Sequence, residues 1–221
     1  MINQIICGDC LEVMKCIPDK SVDLVLTDPP YNVGKQFGEF NEGKIFDKEF
    51  HTHWLNEAKR IINPYGGGLY MFWAGAPHLR EMMITFGDIK QMLFWTKPFA
   101  MMVKNRKGYH CFTETIFWKV LSDDFYFNVD NNSERKDYFT YTSSIHRTQE
   151  HLHPTQKPCV LVKNFINASS KRGDVVLDIF SGSGTTAVAC KELGRKFIGI
   201  EIDKKYCGIA ERRLSQDYLF T

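Results

Sequence analysis

The stretch DVVLDIFSGSGTTAVACKEL, Asp174 to Leu193, decides the fold. A β-rich run ends on an acid, Asp178, and passes through a loop with two glycines into a segment of helical pattern. The following run KFIGIEI has the character of a second strand and carries Glu201 near its end. Such a strand, loop, helix, strand unit lets backbone approach a ligand closely, and an acid at the end of the second strand can accept hydrogen bonds from ribose hydroxyls. An adenosine-like cofactor is therefore expected here. Gly182, Gly184 and Ala187 also satisfy the loose dinucleotide pattern, which recurs by chance and does not by itself choose a cofactor.

Little chain follows this unit, so the remaining strands of the sheet are expected upstream. The best neighbour is the apolar run Val22 to Leu26, which leads into TDPPYN, Thr27 to Asn32. If the two strands flank a topological switch point, DPPY and the glycine loop share one crevice. Each proline removes a backbone donor, and Pro29 also holds Asp28 extended. What Asp28, Pro29, Pro30 and Tyr31 offer is then a carboxylate, backbone carbonyls and a flat ring. A suitable substrate has a planar π-system and an exocyclic amino group. Fixed acceptors around both amino hydrogens would favour a tetrahedral nitrogen and stabilise the positive charge that develops on it.

The rest of the chain fits an α/β fold. A short strand near Ile5 leads through CGDC to a helix around Leu11 to Ile17. From Asp47 a helix carries Phe50, Trp54, Ala58 and Ile61 at core spacing. GGLYMFW, QMLFWT and FTETIFWKV have the composition of strands, while PHLREMMITF, VLVKNFINAS and KKYCGIAERRL have helical patterns. The 221 residues suit one well-cored domain, and 43% hydrophobic with 24% charged residues is an ordinary globular balance. No apolar run approaches bilayer length and the N-terminus lacks signal-peptide character, so no membrane partner and a cytoplasmic location are expected. Seven scattered cysteines point to a reducing compartment, and neither the Cys7/Cys10 pair nor the His51/His53 and His151/His153 pairs make a persuasive metal site. A net charge of +2 neither demands nor excludes a polyanionic partner.

Taken together, GDC (Gly8 to Cys10), DPPYN (Asp28 to Asn32), HPTQKP (His153 to Pro158), DIFSGSGTT (Asp178 to Thr186) and GIEID (Gly199 to Asp203) resemble the β class of S-adenosylmethionine-dependent DNA amino-methyltransferases. The motifs span nearly the whole chain in that family's permuted order. The resemblance implies a Rossmann-like methyltransferase fold with a mostly parallel twisted sheet and helices on both faces. It implies that Asp178, Phe180, Ser181, Gly182, Gly184 and Thr185 surround the methionine part of the cofactor, that Glu201 accepts from its ribose, and that Asp9 lies near its adenine. Thr155 and Lys157 would meet the cofactor's carboxylate end. Asp28 to Tyr31 become the catalytic set for in-line methyl transfer. In this family an acid at the first motif position usually accompanies adenine and a serine accompanies cytosine, so adenine N6 is expected, with cytosine N4 as the alternative.

Between 121 and 150 the periodicity disappears in a long polar segment that carries Arg135, Lys136 and Arg147, and such side chains can read base edges. This segment is therefore expected to be a target-recognition insert between a catalytic half, 1–120, and a cofactor-binding half, 151–221, of the same domain. Double-stranded DNA is the expected partner, with the target base flipped out. The glycine-rich loop after Asn32, with Phe37 and Phe40, could close over that base. Lys97, Lys104, Arg106 and Lys107 form an acid-free stretch able to track phosphates. Because the insert is short for sequence recognition, a homodimer is a further expectation. The competing readings are methylation of RNA or protein, a noncatalytic nucleic-acid-binding relative, and a nicotinamide oxidoreductase, which leaves DPPY and HPTQKP unexplained.

Overall fold

The computed structural model describes residues 1–32, 34, 36–37, 40–41, 43, 47–74, 78–101, 110–129, 135–142 and 156–216, with the backbone alone at 36–37, 40–41 and 99–101. In chain order the elements are β1 (Gln4–Cys7), α1 (Cys10–Lys15), β2 (Leu24–Thr27), β3 (Gln36–Phe37), β4 (Phe40–Asn41), α2 (Lys48–Ile61), β5 (Gly68–Trp73) and α3 (Leu79–Phe86). They continue with β6 (Gln91–Met101), β7 (Cys111–Lys119), β8 (Tyr138–Thr140), α4 (Cys159–Ser169), β9 (Val175–Asp178), α5 (Thr185–Leu193), β10 (Lys196–Glu201) and α6 (Lys204–Ser215).

The main sheet runs β1-β10-β9-β2-β5-β7-β6-β8. From β1 to β5 every pairing is parallel, β7 is antiparallel to β5 and β6, and β8 returns parallel to β6. The parallel core follows from sequence: LVLT and VVLD are short apolar runs without polar alternation, as strands covered on both faces must be. Alternate residues of each strand enter two separate cores. Val25, Leu69, Met71 and Trp73 pack with Met14, Trp54 and Met82 of α1, α2 and α3. Leu24, Leu26, Tyr70 and Phe72 pack with Leu161, Phe165 and Ala189 of α4 and α5.

Helices on opposite faces set the topology. The crossover β9–α5–β10 runs one way along the sheet and β2–α2–β5 runs the other, and right-handed crossovers in opposite directions require helices on opposite faces. The order therefore reverses between β9 and β2. Leu24 and Val25 pair directly with Val176 and Leu177 there, as expected from the sequence. Asp23 ties the start of this junction, its Oδ2 accepting the Val175 N–H at 2.9 Å.

Two regions differ from the sequence reading. β6 extends past the expected QMLFWT to Met101, and its register with β7 shifts between Thr96 and Met101, where Pro98 has no N–H for the ladder. The insert expected to be aperiodic contributes β8, whose three residues are too few to show a period. At the start of β5, Gly68 has φ +85° and a Cβ there would lie 2.1 Å from the Lys119 carbonyl oxygen. Gly68→Ala is expected to cost about 2–3 kcal/mol in urea unfolding, from strain and from displacement of β7. An unchanged midpoint would contradict that close packing.

Candidate functional site

The C-terminal ends of β9, β2 and β10 open into a cavity of about 530 Å³, within the range of small-ligand sites. Its described wall brings together the sequence-predicted Asp9, Asp28, Pro29, Pro30, Tyr31, Lys157, Asp178, Phe180, Ser181, Gly182, Thr185 and Glu201. Gly184 is not part of this wall; its φ of +78° caps the start of α5, and a Cβ there would meet the Ala210 Cβ at 2.7 Å. Thr155 lies outside the described residues, as do His151 and His153.

The glycine loop is held by its own chain. Ser181 N–H donates to the Ile200 carbonyl at 2.8 Å, Gly184 N–H to the Ser181 carbonyl at 2.9 Å, and Gly182 N–H to Glu201 Oε2 at 2.7 Å. Arg213 of α6 reaches under it, donating to the Ser183 carbonyl at 2.5 Å and lying 3.3 Å from Thr185 Oγ1. Glu201 Oε1 accepts the Asp203 N–H at 2.8 Å, so the carboxylate is fixed while spare lone pairs remain. Asp9 caps α1 by accepting the Leu11 N–H at 2.8 Å.

Asp178 is buried and bonded to neutral donors. Thr186 Oγ1 donates at 2.6 Å, Thr27 Oγ1 at 3.2 Å and the Phe180 N–H at 3.2 Å. Burial dominates these bonds and pushes its pKa up to about 7. The Thr27 contact crosses from β2 to β9, so the two motifs meet within hydrogen-bond distance.

Asp28 is differently placed. Its side chain is a quarter exposed, Oδ1 accepts the Tyr31 hydroxyl and Oδ2 accepts the ammonium of Lys157. Burial lifts its pKa above the usual carboxylate value against the opposing effect of Lys157. Tyr31 therefore turns its only side-chain donor back onto Asp28, and its ring lies 5.0 Å from that of Trp73. The adjoining Asn32 takes a left-handed φ of +54°. Trp54 Nε1 donates to His51 Nδ1 at 3.0 Å, which leaves the other ring proton on Nε2, 3.0 Å from Asn32 Oδ1. Burial lowers the His51 pKa to about 4, so the ring stays neutral in this relay.

Lys157, expected at a cofactor carboxylate, lines the cavity, with its buried ammonium engaged by Asp28 and 3.4 Å from Glu114 Oε2. One expectation needs correction. Lys97 was expected to track phosphate, but it is buried and salt-bridged to Glu114 at 2.5 Å. The reason is strand register: Glu114 pairs across from Trp95, which puts Lys97 on the same face as its diagonal neighbour. Lys104, Arg106 and Lys107 lie outside the described residues, and the side chains of Phe37 and Phe40 are likewise not described. Glu114 and Arg213 escaped sequence reasoning because strand pairing and helix packing, not motif spacing, bring them here, while Thr186 closes the quoted glycine motif without an assigned role and His51 was weighed only as a metal ligand.

The donor set tests the cofactor. Six acids, Asp9, Asp28, Asp47, Asp178, Glu201 and Asp203, line the cavity, and its one basic side chain among the described residues, Lys157, is paired with carboxylates. A sulfonium and an ammonium suit such a wall, and ribose hydroxyls suit Glu201. A pyrophosphate does not, because the loop amides of Ser181, Gly182 and Gly184 that would cradle it already have partners. The nicotinamide reading therefore fails on chemistry, and S-adenosylmethionine fits.

Comparison with known proteins agrees. A family model described as DNA methylase matches residues 22–212. The chain is 32% identical to the Type II methyltransferase M.HpaI of Haemophilus parainfluenzae, over 99% of this chain and 76% of that protein. It is 33% identical to the Type II methyltransferase M.HinfI of Haemophilus influenzae, over 97% of this chain and 69% of that protein. Among solved structures, the M1.HpyAVI–SAM complex aligns with a TM-score of 0.76 at 28% identity, covering 96% of this chain and 99% of that one. The PvuII cytosine-N4-specific DNA methyltransferase aligns with a TM-score of 0.76 over 97% of this chain and 86% of that one, and at 19% identity this likeness concerns the fold alone.

The raised pKa of Asp178 has a measurable consequence for a cationic ligand. Ionised above about pH 7, the carboxylate attracts such a ligand; protonated below it, the attraction is lost. Calorimetric titration with S-adenosylmethionine from about pH 8 to about pH 5.5 should show affinity falling with pH in the wild type. Asp178→Asn should bind more weakly at the upper end and lack this step, the ligand's own titration being common to both. Identical profiles would show that Asp178 does not sense the cofactor's charge.

Proposed function

We propose that this chain, which belongs to the DNA methylase family of S-adenosylmethionine-dependent amino-methyltransferases, methylates N6 of adenine in double-stranded DNA. The observation that carries this reading is the position of Asp28, a carboxylate closing β2 in the same cavity as Asp178 and Glu201. An acid rather than a serine at this motif position favours adenine. The shared fold with a cytosine-N4 enzyme does not bear on the base.

When bound, S-adenosylmethionine supplies an electrophilic methyl group on a sulfonium. The chain's own residues do the rest. Asp178 and Glu201 hold cation and ribose at the β9 and β10 ends, and the Asp9 side of the wall receives the adenine. Asp28 accepts one hydrogen of the target amino group and a backbone carbonyl of the proline turn accepts the other, which aims the nitrogen lone pair away from the base plane. The positive charge that grows on nitrogen meets the carboxylate. Raised by burial, Asp28 is also a competent acceptor for the proton that the nitrogen then loses. Tyr31, braced by Asp28 and Trp73, presents its ring to the base. The proline turn has no N–H at Pro29 or Pro30 that would repel the amino group.

A duplex hides this amino group, so the base is flipped into the cavity. Residues 121–150 read the surrounding sequence between a catalytic half, 1–120, and a cofactor half, 151–221, with a second copy of the chain extending the DNA contact. DNA as substrate puts the enzyme in the cytoplasm of a bacterial or phage-infected cell.

Asp28→Ala should lower methyl transfer to DNA by roughly 100-fold or more while leaving S-adenosylmethionine affinity within about threefold. Nucleosides from modified DNA, measured by mass, should contain N6-methyl-2′-deoxyadenosine. N4-methylcytosine alone would move the assignment to the other base, and label entering only RNA or protein would overturn the substrate.

A further inference from the structure

From the cavity wall inward four ionisable side chains alternate in charge: Asp28 and Lys157, which line the cavity, then Glu114 and Lys97, which do not. Their side chains are 25%, 8%, 11% and 9% exposed, and the row is neutral as a whole. Glu114 is the member whose bonding is incomplete. Its Oε1 takes Lys97, but Oε2 is fully buried, has no hydrogen-bond partner among the described residues and lies 3.4 Å from the Lys157 ammonium. A buried, incompletely bonded carboxylate oxygen calls for an explanation.

Asp28 supplies one. In this structure Tyr31 holds its Oδ1 and Lys157 its Oδ2, so both oxygens of the proposed amino-group acceptor carry a donor. We propose that Glu114 is a positioning residue that draws the Lys157 ammonium off Asp28, opening Oδ2 to the target amino group. The inference rests on the amino-methyltransferase reading above. A buried ammonium cannot leave one carboxylate without another to receive it, since uncompensated burial of charge is costly. Glu114 Oε2 is such a seat, and the Phe72 ring, 5.2 Å from Lys157 Nζ, gives the ammonium a favourable face beside it. Lys97 keeps Glu114 in place from the other side. The electrostatics agree in sign: Lys157 lowers the Asp28 pKa and Glu114 raises it, so Glu114 keeps Asp28 the better acceptor.

Glu114→Gln keeps size and a hydrogen-bond acceptor but removes the pull, leaving Lys157 on Asp28. Relative to wild type, kcat on duplex DNA should fall roughly 10- to 100-fold, with KM for DNA and affinity for S-adenosylmethionine within about threefold. Glu114→Asp should recover most of the loss. Turnover by Glu114→Gln within about twofold of wild type, or equal losses in turnover, cofactor affinity and melting temperature that aspartate does not relieve, would overturn the proposal. A second readout needs neither turnover nor substrate: the side-chain ammonium NMR signal of Lys157, assigned by its loss in Lys157→Met, should shift in both Glu114 variants, and more in the glutamine. An unmoved signal means that Glu114 does not hold the lysine and also overturns the proposal. If the signal moves as expected but wild-type protein methylates no DNA, the substrate reading above falls while the Glu114–Lys157 contact stands.

Discussion

Two parallel strands, Leu24–Thr27 and Val175–Asp178, lie side by side at the point where the sheet reverses its order, and each delivers an acid to the same cleft. Asp28 and Asp178 are brought together by backbone pairing with no attraction between their side chains, and the charge of Asp28 adds to the burial that raises the Asp178 pKa. Much of the surrounding structure answers this constraint. Without it there would be no reason to bury Lys157 and Glu114, or to spend two threonine hydroxyls on one carboxylate.

The two acids are accommodated in different ways. Asp178 receives neutral donors only, from Thr27, Thr186 and the Phe180 N–H, which leaves it titrating near neutrality and responsive to a cation. Asp28 receives a buried lysine, which in turn needs Glu114, which in turn needs Lys97. The first arrangement suits an acid that waits for a positively charged ligand. The second suits an acid that must stay available as an acceptor beside a reacting nitrogen. Burial of paired charges contributes little to stability, so the row from Lys97 to Asp28 has its clearest meaning in the chemistry of Asp28.

The surface of the cavity carries the same logic. Acceptors outnumber donors because the loop amides around Gly182 and Gly184 are used within the chain, and because two prolines and a Tyr31 hydroxyl turned inward remove donors from the other wall. Such a wall disfavours phosphates and favours a sulfonium, an ammonium and a nucleobase amino group. Cofactor and substrate thus share one chemical preference, which lets a single cleft hold both.

Motif spacing reached much of this. The apolar runs around Val25 and Val176, the acid after each, the glycines of the loop and Glu201 all identify themselves in one dimension, because strand composition, proline geometry and left-handed glycines are local properties. The adjacency of β2 and β9, expected from a switch point shared by DPPY and the glycine loop, is present in the sheet. What tertiary structure decided was the partner of each charge. Lys97 stands in a run that points to phosphate, yet it is taken by Glu114, 17 positions away, and Lys157 is bonded to Asp28, 129 positions away in the chain. Sequence determines which side chains a strand carries and which face they take. Only the register between β6 and β7 and the packing of the α4 entry decide which opposite charge each one meets, because buried charges find partners by distance in space.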